Sequence, residues 1–125
     1  MTHNPQARPD RPGVAPLLSF RIEDELARLK HEPTWLTGSR NAITLVKKGA
    51  LRMVLTALRK GTKLHEHHAS GSLTLQVVSG SVRFQAAERT LEMGTGEVVV
   101  LESGVKHEVE ALEESAFLLT LVQPS

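Results

Sequence analysis

The chain has 125 residues, of which 40% are hydrophobic and 23% charged, a balance typical of one soluble domain with a single core. No apolar run approaches the roughly 20 residues that span a bilayer, and the first residues lack the apolar stretch of a secretory signal, so we expect a cytoplasmic protein without a membrane partner. The net charge of +1 gives no support to nucleic-acid binding. Because cysteine is absent, any metal ion has to bind through histidine, carboxylate, amide or water ligands.

The first part of the chain divides into an arm and a helix. Residues 1–16 contain four of the six prolines, which predicts a Pro-rich N-terminal arm with little packing. Within residues 17–34, apolar side chains recur with helical spacing from Ile22 to Leu29. We therefore expect one short amphipathic helix, which ends before Pro33, and a connection to the next domain segment.

Residues 35–125 are predicted to form a β-barrel. Short runs of Val, Leu, Ile and Thr are separated by glycine about every 10 residues, which is typical of an all-β domain with roughly eight or nine strands. The alternation of apolar and polar residues assigns Leu73 to an inward face and Gln76 to an outward face. Residues 78–81 are predicted to be a tight hairpin turn, and residues 96–112 to repeat the pattern of strand, glycine turn and strand.

Two positions between the helix and the barrel have more than one interpretation. Trp35 either lines the mouth of a ligand site or anchors the helical segment against the barrel. The polar cluster Ser39, Arg40 and Asn41 either meets an anionic ligand or is a surface turn with an exposed arginine.

Four of the six histidines lie close to predicted strand ends: His65, His67, His68 and His107. Neutral imidazole is a ligand for several transition metals, so these residues are either metal ligands or surface polar residues near turns. Strand alternation places His65 and His67 on one face and His68 on the other.

The histidine segments lie within two stretches that resemble the cupin superfamily, whose signatures are G-x5-H-x-H-x3-E-x6-G and G-x5-P-x-G-x2-H-x3-N. The first stretch places at the signature positions Gly61, His67, Ala69, Leu73 and Gly80. The second stretch places there Gly96, Glu102, Gly104, His107 and Ala111. The resemblance implies a cupin-type double-stranded β-helix, a jelly-roll-like barrel.

The resemblance also implies where a ligand or metal would bind. Cupins that hold a metal generally use two histidines and a glutamate from the first stretch and one histidine from the second. Only His67 and His107 remain here, because Ala69 and Leu73 replace the other two ligands. The predicted ligand pocket contains His67, His107, His65, Leu73 and Ala69. The candidate ligands of a divalent transition metal, Fe, Mn, Ni or Zn, are His67, His107, His65 and His68.

Three functions follow as hypotheses. The first is a small single-domain cupin that binds a small molecule at a reduced histidine centre. The second is a metal-dependent enzyme of the oxygenase or isomerase type that uses His65, His67 and His107. The third is a non-catalytic, dimeric structural or regulatory module. A homodimer is expected in each case, through the polar face of Ser72, Thr74 and Gln76 or through the arm. No catalytic residue is assigned.

Overall fold

A computed structural model describes residues 15–67 and 70–123 of the chain. Two helices precede the strands: α1 (Ile22–Leu29) and α2 (Pro33–Leu36). The strands that follow in this part of the chain are β1 (Arg40–Lys48), β2 (Leu51–Leu58), β3 (Lys63–His67), β4 (Ser72–Ser79), β5 (Ser81–Ala86), β6 (Arg89–Gly94), β7 (Val98–Leu101), β8 (His107–Ala111) and β9 (Ser115–Val122).

The strands form two antiparallel sheets. The first has the strand order β1-β2-β9-β4-β7, and the second has the order β3-β8-β5-β6. Apart from β1, which extends one edge, this is the arrangement of an eight-stranded jelly roll. From β2 to β9 the chain changes sheets between successive strands, except at the β5–β6 hairpin, which stays within one sheet. The all-β prediction with eight or nine strands is confirmed by the nine strands of the described residues.

The predicted hairpin at residues 78–81 is wrong, whereas the second predicted pattern of strand, glycine turn and strand is confirmed by β7 and β8 on either side of Gly104. β4 pairs with β7 and β9, whereas β5 pairs with β6 and β8. Gly80 therefore lies at a corner where the chain leaves one sheet and enters the other, and the same is true of the segment between β7 and β8. A glycine between two alternating runs indicates a sharp change of direction, and it does not show which strand becomes the partner.

The barrel interior is filled by the inward faces of both sheets. Leu73, Leu75 and Val77 of β4 are buried in one cluster with Phe84 of β5 and Val109 of β8. Their neighbours along β4 face outward, with Gln76 exposed, as the alternation predicts. Nearly every inward position is apolar, and the buried imidazole of His107 on β8 is an exception.

The helical segment covers the part of the larger sheet's outer face that β1 and β2 form. Leu29 of α1 and Trp35 of α2 are buried in a second cluster with Leu45, Leu55 and other residues of that face. The guanidinium of Arg59 lies 4.1 Å from the centre of the Trp35 ring and donates a hydrogen bond of 3.0 Å to the Trp35 carbonyl oxygen. Trp35 is therefore an anchor of the helical segment, and its alternative placement at a ligand mouth is wrong.

The predicted helix is confirmed as α1, and α2 begins with Pro33 in its first turn. Most of the predicted arm, residues 1–14, lies outside the described residues. Neither helix of the described residues has the length and hydrophobicity that crossing a membrane requires. The cytoplasmic location stays a prediction.

Candidate ligand site at the His107 end of the barrel

The backbone brings two predicted site residues together. β3 pairs with β8 so that His67 lies directly opposite His107. The register shifts between Leu64 and His67, because one extra residue is accommodated on β3. Residues that pair directly on antiparallel strands have Cα atoms about 4.5–5.5 Å apart, so the two histidine positions are immediate neighbours.

His107 is a buried polar side chain with a defined orientation. Its side chain is only 3% exposed, and its ring lies 5.9 Å from the Phe84 ring with an angle of 19° between the planes. Nδ1 lies 3.3 Å from the carbonyl oxygen of Val105. A carbonyl oxygen only accepts, so this contact is a hydrogen bond when Nδ1 carries the proton. The stacking and the Nδ1 contact together fix the ring at the inner end of β8.

A cleft of about 690 Å³ has His107 in its wall. It lies between the turn that joins β5 to β6 and the loop that precedes β8, and its volume is within the range of about 300–1,000 Å³ that is typical of small-molecule sites. The lining residues outside this histidine are Gln85, Ala86, Ala87, Glu88, Arg89, Thr90, Gly104, Val105, Lys106 and Glu108. A buried imidazole thus meets a rim that carries charges of both signs.

The turn between β5 and β6 has an unfavourable backbone conformation. Ala87 and Glu88 have φ angles of 52° and 62°, a left-handed pair that two-residue hairpins usually fill with Asn-Gly or Asp-Gly. A side chain in this conformation costs about 1–2 kcal/mol per residue. Strain of this kind concentrates at functional sites, and here it lies on the cleft.

We expect Glu88→Gly to raise the free energy of unfolding by about 1 kcal/mol, because glycine adopts this φ without the Cβ clash. The measurement is urea denaturation at equilibrium. Lys47→Gly is the control, since it introduces glycine into β1 and is expected to lower the same quantity by about 0.5–1 kcal/mol. A loss of stability in Glu88→Gly would contradict the strain assigned to this turn.

Solved structures of known proteins share this architecture. Salicylate 1,2-dioxygenase from Pseudoaminobacter salicylatoxidans superposes with a TM-score of 0.76 at 20% identity, over 95% of this chain and 40% of that one. A cupin-2 domain containing protein from Shewanella frigidimarina gives 0.66 at 14% identity, over 83% and 94% of the two chains. The chain therefore has the cupin fold.

A conserved protein of unknown function from Streptococcus pyogenes has a similar fold over 98% of this chain and 99% of its own, with a TM-score of 0.68 and 21% identity. No family model and no curated protein matches the sequence. At these identities the comparisons show the fold, and function rests on the residues of the site.

The four positions at which the cupin signature places metal ligands do not supply, in this chain, the donor set of a tightly held metal ion. Two of them are Ala69 and Leu73, whose side chains carry no ligand atom, and Leu73 is buried in the apolar interior. Sites for divalent ions usually have three or four protein ligands. Among the side chains that the structure describes, those of residues 15–65 and 70–123, no group of three His, Asp or Glu is placed to hold one.

The remaining predicted site residues have different outcomes. His65 is exposed. It follows Leu64, which pairs with the inward-facing Val109, so the His65 side chain points outward. The exposed ring gives no support to a three-histidine centre. Leu73 lies inward, as predicted. His68 and Ala69 lie outside the described residues. Sequence reasoning missed the cleft rim, because no Asn-Gly or Asp-Gly pair marks the turn that forms it.

Proposed function

We propose that the protein binds a small organic molecule in the cleft beside His107, without a resident metal ion. The observation that carries the proposal is a buried imidazole in the wall of an open cleft. Burial of a polar side chain in an apolar core is unfavourable, and a core position that needs only volume is usually filled by an aliphatic side chain. An imidazole at this place suits ligand recognition.

The lining of the cleft indicates the chemistry of the ligand. His107, which stacks on Phe84, and Ala86, which packs against the interior cluster, line it and suit an apolar body. Its rim carries Arg89 and Lys106 together with two glutamates, which suits polar or charged substituents that stay close to water. The ligand is therefore a compact molecule with an apolar part that enters the cleft and a polar part that stays at the rim.

The test is a protein-observed NMR screen of small carboxylates, phenols, sugars and amines on the full chain. We expect the strongest fragment to shift the amides of residues 85–90 and 104–108. His107→Gln is expected to weaken the binding of this fragment by about tenfold or more. A tenfold loss of affinity corresponds to about 1.4 kcal/mol, which is the contribution of one well-placed hydrogen bond.

Two variants keep the test interpretable. Arg89→Ala alters the rim without touching the core and is expected to weaken the same fragment, whereas His31→Gln changes an exposed histidine on the helical segment and leaves binding unchanged. Equal affinities in the wild type, His107→Gln and Arg89→Ala, or shifts confined to other surfaces, would contradict the proposal.

We also propose that the protein is a homodimer, through the outer face of β4 and β7. Val98 and Val100 on the edge strand β7 are 55% and 75% exposed, and they pair with Gln76 and Thr74 of β4. Exposed valines beside uncharged polar side chains form a face suited to a second copy.

We expect Val100→Lys to convert the dimer to a monomer at tens of micromolar, as measured by light scattering, because two lysines would have to be desolvated at the contact. Leu36→Lys is the control, since Leu36 is 63% exposed on the helical segment and lies on another surface. A wild-type chain that is monomeric at this concentration would overturn the dimer.

A further inference from the structure

A second cavity, of about 370 Å³, lies away from the His107 cleft, at the open side of the barrel. β1 and β3 are edge strands of the two sheets, each with one paired neighbour. The cavity is lined from both edges and from α2, by Thr34, Arg40, Asn41, Ala42, Thr56 and Leu64. None of these residues belongs to the proposed ligand site.

Thr56 places a hydroxyl in this cavity. Its side chain is only 8% exposed, and within the described residues its hydroxyl has no hydrogen-bond partner. Among the described residues, every side-chain N or O atom that is fully shielded from solvent has a hydrogen-bond partner. The Thr56 hydroxyl has none, so it is not fully shielded, and the cavity that it lines gives it access to solvent. A nearly buried hydroxyl without a protein partner is favourable only when water or a ligand completes its hydrogen bonds.

Arg40 supplies a positive charge at the same place. It pairs in register with Leu58 of β2, two residues from Thr56, and Ala42 pairs with Thr56 itself. Among the described residues, the Arg40 guanidinium makes no ion pair and no hydrogen bond. The neighbouring Asn41 is held in place, since its Nδ2 donates to the Leu29 carbonyl oxygen at 3.1 Å and to Glu32 Oε1 at 2.8 Å.

The walls between these polar groups are apolar. Ala42 lies beside Thr56, and Leu64 is partly buried against the interior cluster. The site thus has an exposed guanidinium, a nearly buried hydroxyl and an aliphatic surface beside them. A guanidinium binds a carboxylate through two parallel N–H bonds, and this fork is stronger than a hydrogen bond between neutral groups.

From this arrangement we infer that the cavity is a binding site for a small organic carboxylate. The carboxylate pairs with Arg40, the Thr56 hydroxyl donates to an oxygen of the ligand, and the apolar body of the ligand packs on Ala42 and Leu64. The inference does not rest on the His107 cleft, because it uses a different cavity and different residues.

The test is an NMR titration of the full chain with benzoate, and with benzamide as a neutral molecule of similar shape. We expect benzoate to shift the amides of residues 40–42, 56 and 64, and benzamide to bind at least about tenfold more weakly. Arg40→Gln is expected to weaken benzoate by about tenfold or more, and Thr56→Val by several-fold, since it removes the hydroxyl at nearly constant volume.

Arg52→Gln is the matched control, because Arg52 is an exposed arginine on β2 whose loss changes the net charge equally. Equal benzoate affinity in Arg40→Gln and Arg52→Gln would overturn the inference, and so would shifts confined to residues 85–90 and 104–108. Benzoate binding at residues 40–42 that persists in His107→Gln would support this site even if the His107 cleft binds nothing, so the two proposals fail independently.

Discussion

Gly80→Ala is expected to lower the free energy of unfolding by about 3–5 kcal/mol, because a backbone cost and a steric cost add at one corner of the barrel. Gly80 has a φ of 81°, which a residue with a Cβ adopts at a cost of about 1–2 kcal/mol. Its added Cβ would also lie 2.5 Å from the Glu114 carbonyl oxygen and clash with Ser115 Oγ. The Ser115 hydroxyl is fully buried and accepts the Ser81 N–H at 2.9 Å, so it cannot move without loss of that bond.

Gly96→Ala separates the two costs. Gly96 has a φ of 91°, but no atom lies within 4 Å of the position where its Cβ would be added. The free energy of unfolding of Gly96→Ala is therefore expected to fall only by the cost of the backbone conformation, about 1–2 kcal/mol. Urea denaturation of both variants measures the difference, and equal losses would show that the packing at the Gly80 corner does not contribute.

The double variant Ala69→His/Leu73→Glu is expected to hold close to one divalent metal ion per chain, whereas the wild type holds far less. The change restores the ligand types of the cupin signature beside His67 and His107, which brings the number of protein ligands from two to four. Elemental analysis of untagged protein, after growth with Fe, Mn, Ni and Zn, measures the metal content. A tag would add histidines of its own.

Leu73→Glu carries a stability cost, because it places a carboxylate in the apolar interior. The second readout is therefore the melting temperature of the double variant. We expect zinc to raise this temperature, and the further substitution His107→Ala to remove that increase. A wild type with near-stoichiometric metal, lost in both His67→Ala and His107→Ala, would contradict the account of the donor set.

Strand positions were predictable from the sequence because each inward face needs apolar side chains at alternate residues, as Leu73 and Leu75 show. The pairing of the strands was not predictable from these local patterns, because a jelly roll pairs segments that are distant in the chain, such as β2 and β9. The glycine at position 80 marked the corner correctly but carried no information about which sheet follows. Local patterns show where a strand ends and leave its neighbour undetermined.

The candidate site was predictable at one position and not at its surroundings. His107 was found because its spacing matches a known signature, and it is buried. His65 was assigned to the pocket by strict alternation counted back from His67, and the extra residue on β3 breaks that count. The rim formed by the Ala87-Glu88 turn has no sequence marker, since this backbone conformation is usually filled by glycine or asparagine.

The central claim is that the His107 cleft binds a small molecule without a metal ion. Its most direct measurement is the dissociation constant of the strongest NMR fragment for protein treated with a chelator and dialysed, compared with protein given one equivalent of zinc. We expect equal dissociation constants in the two samples, with shifted amides at residues 85–90 and 104–108. Binding that appears only with metal, or shifts elsewhere on the chain, would contradict it.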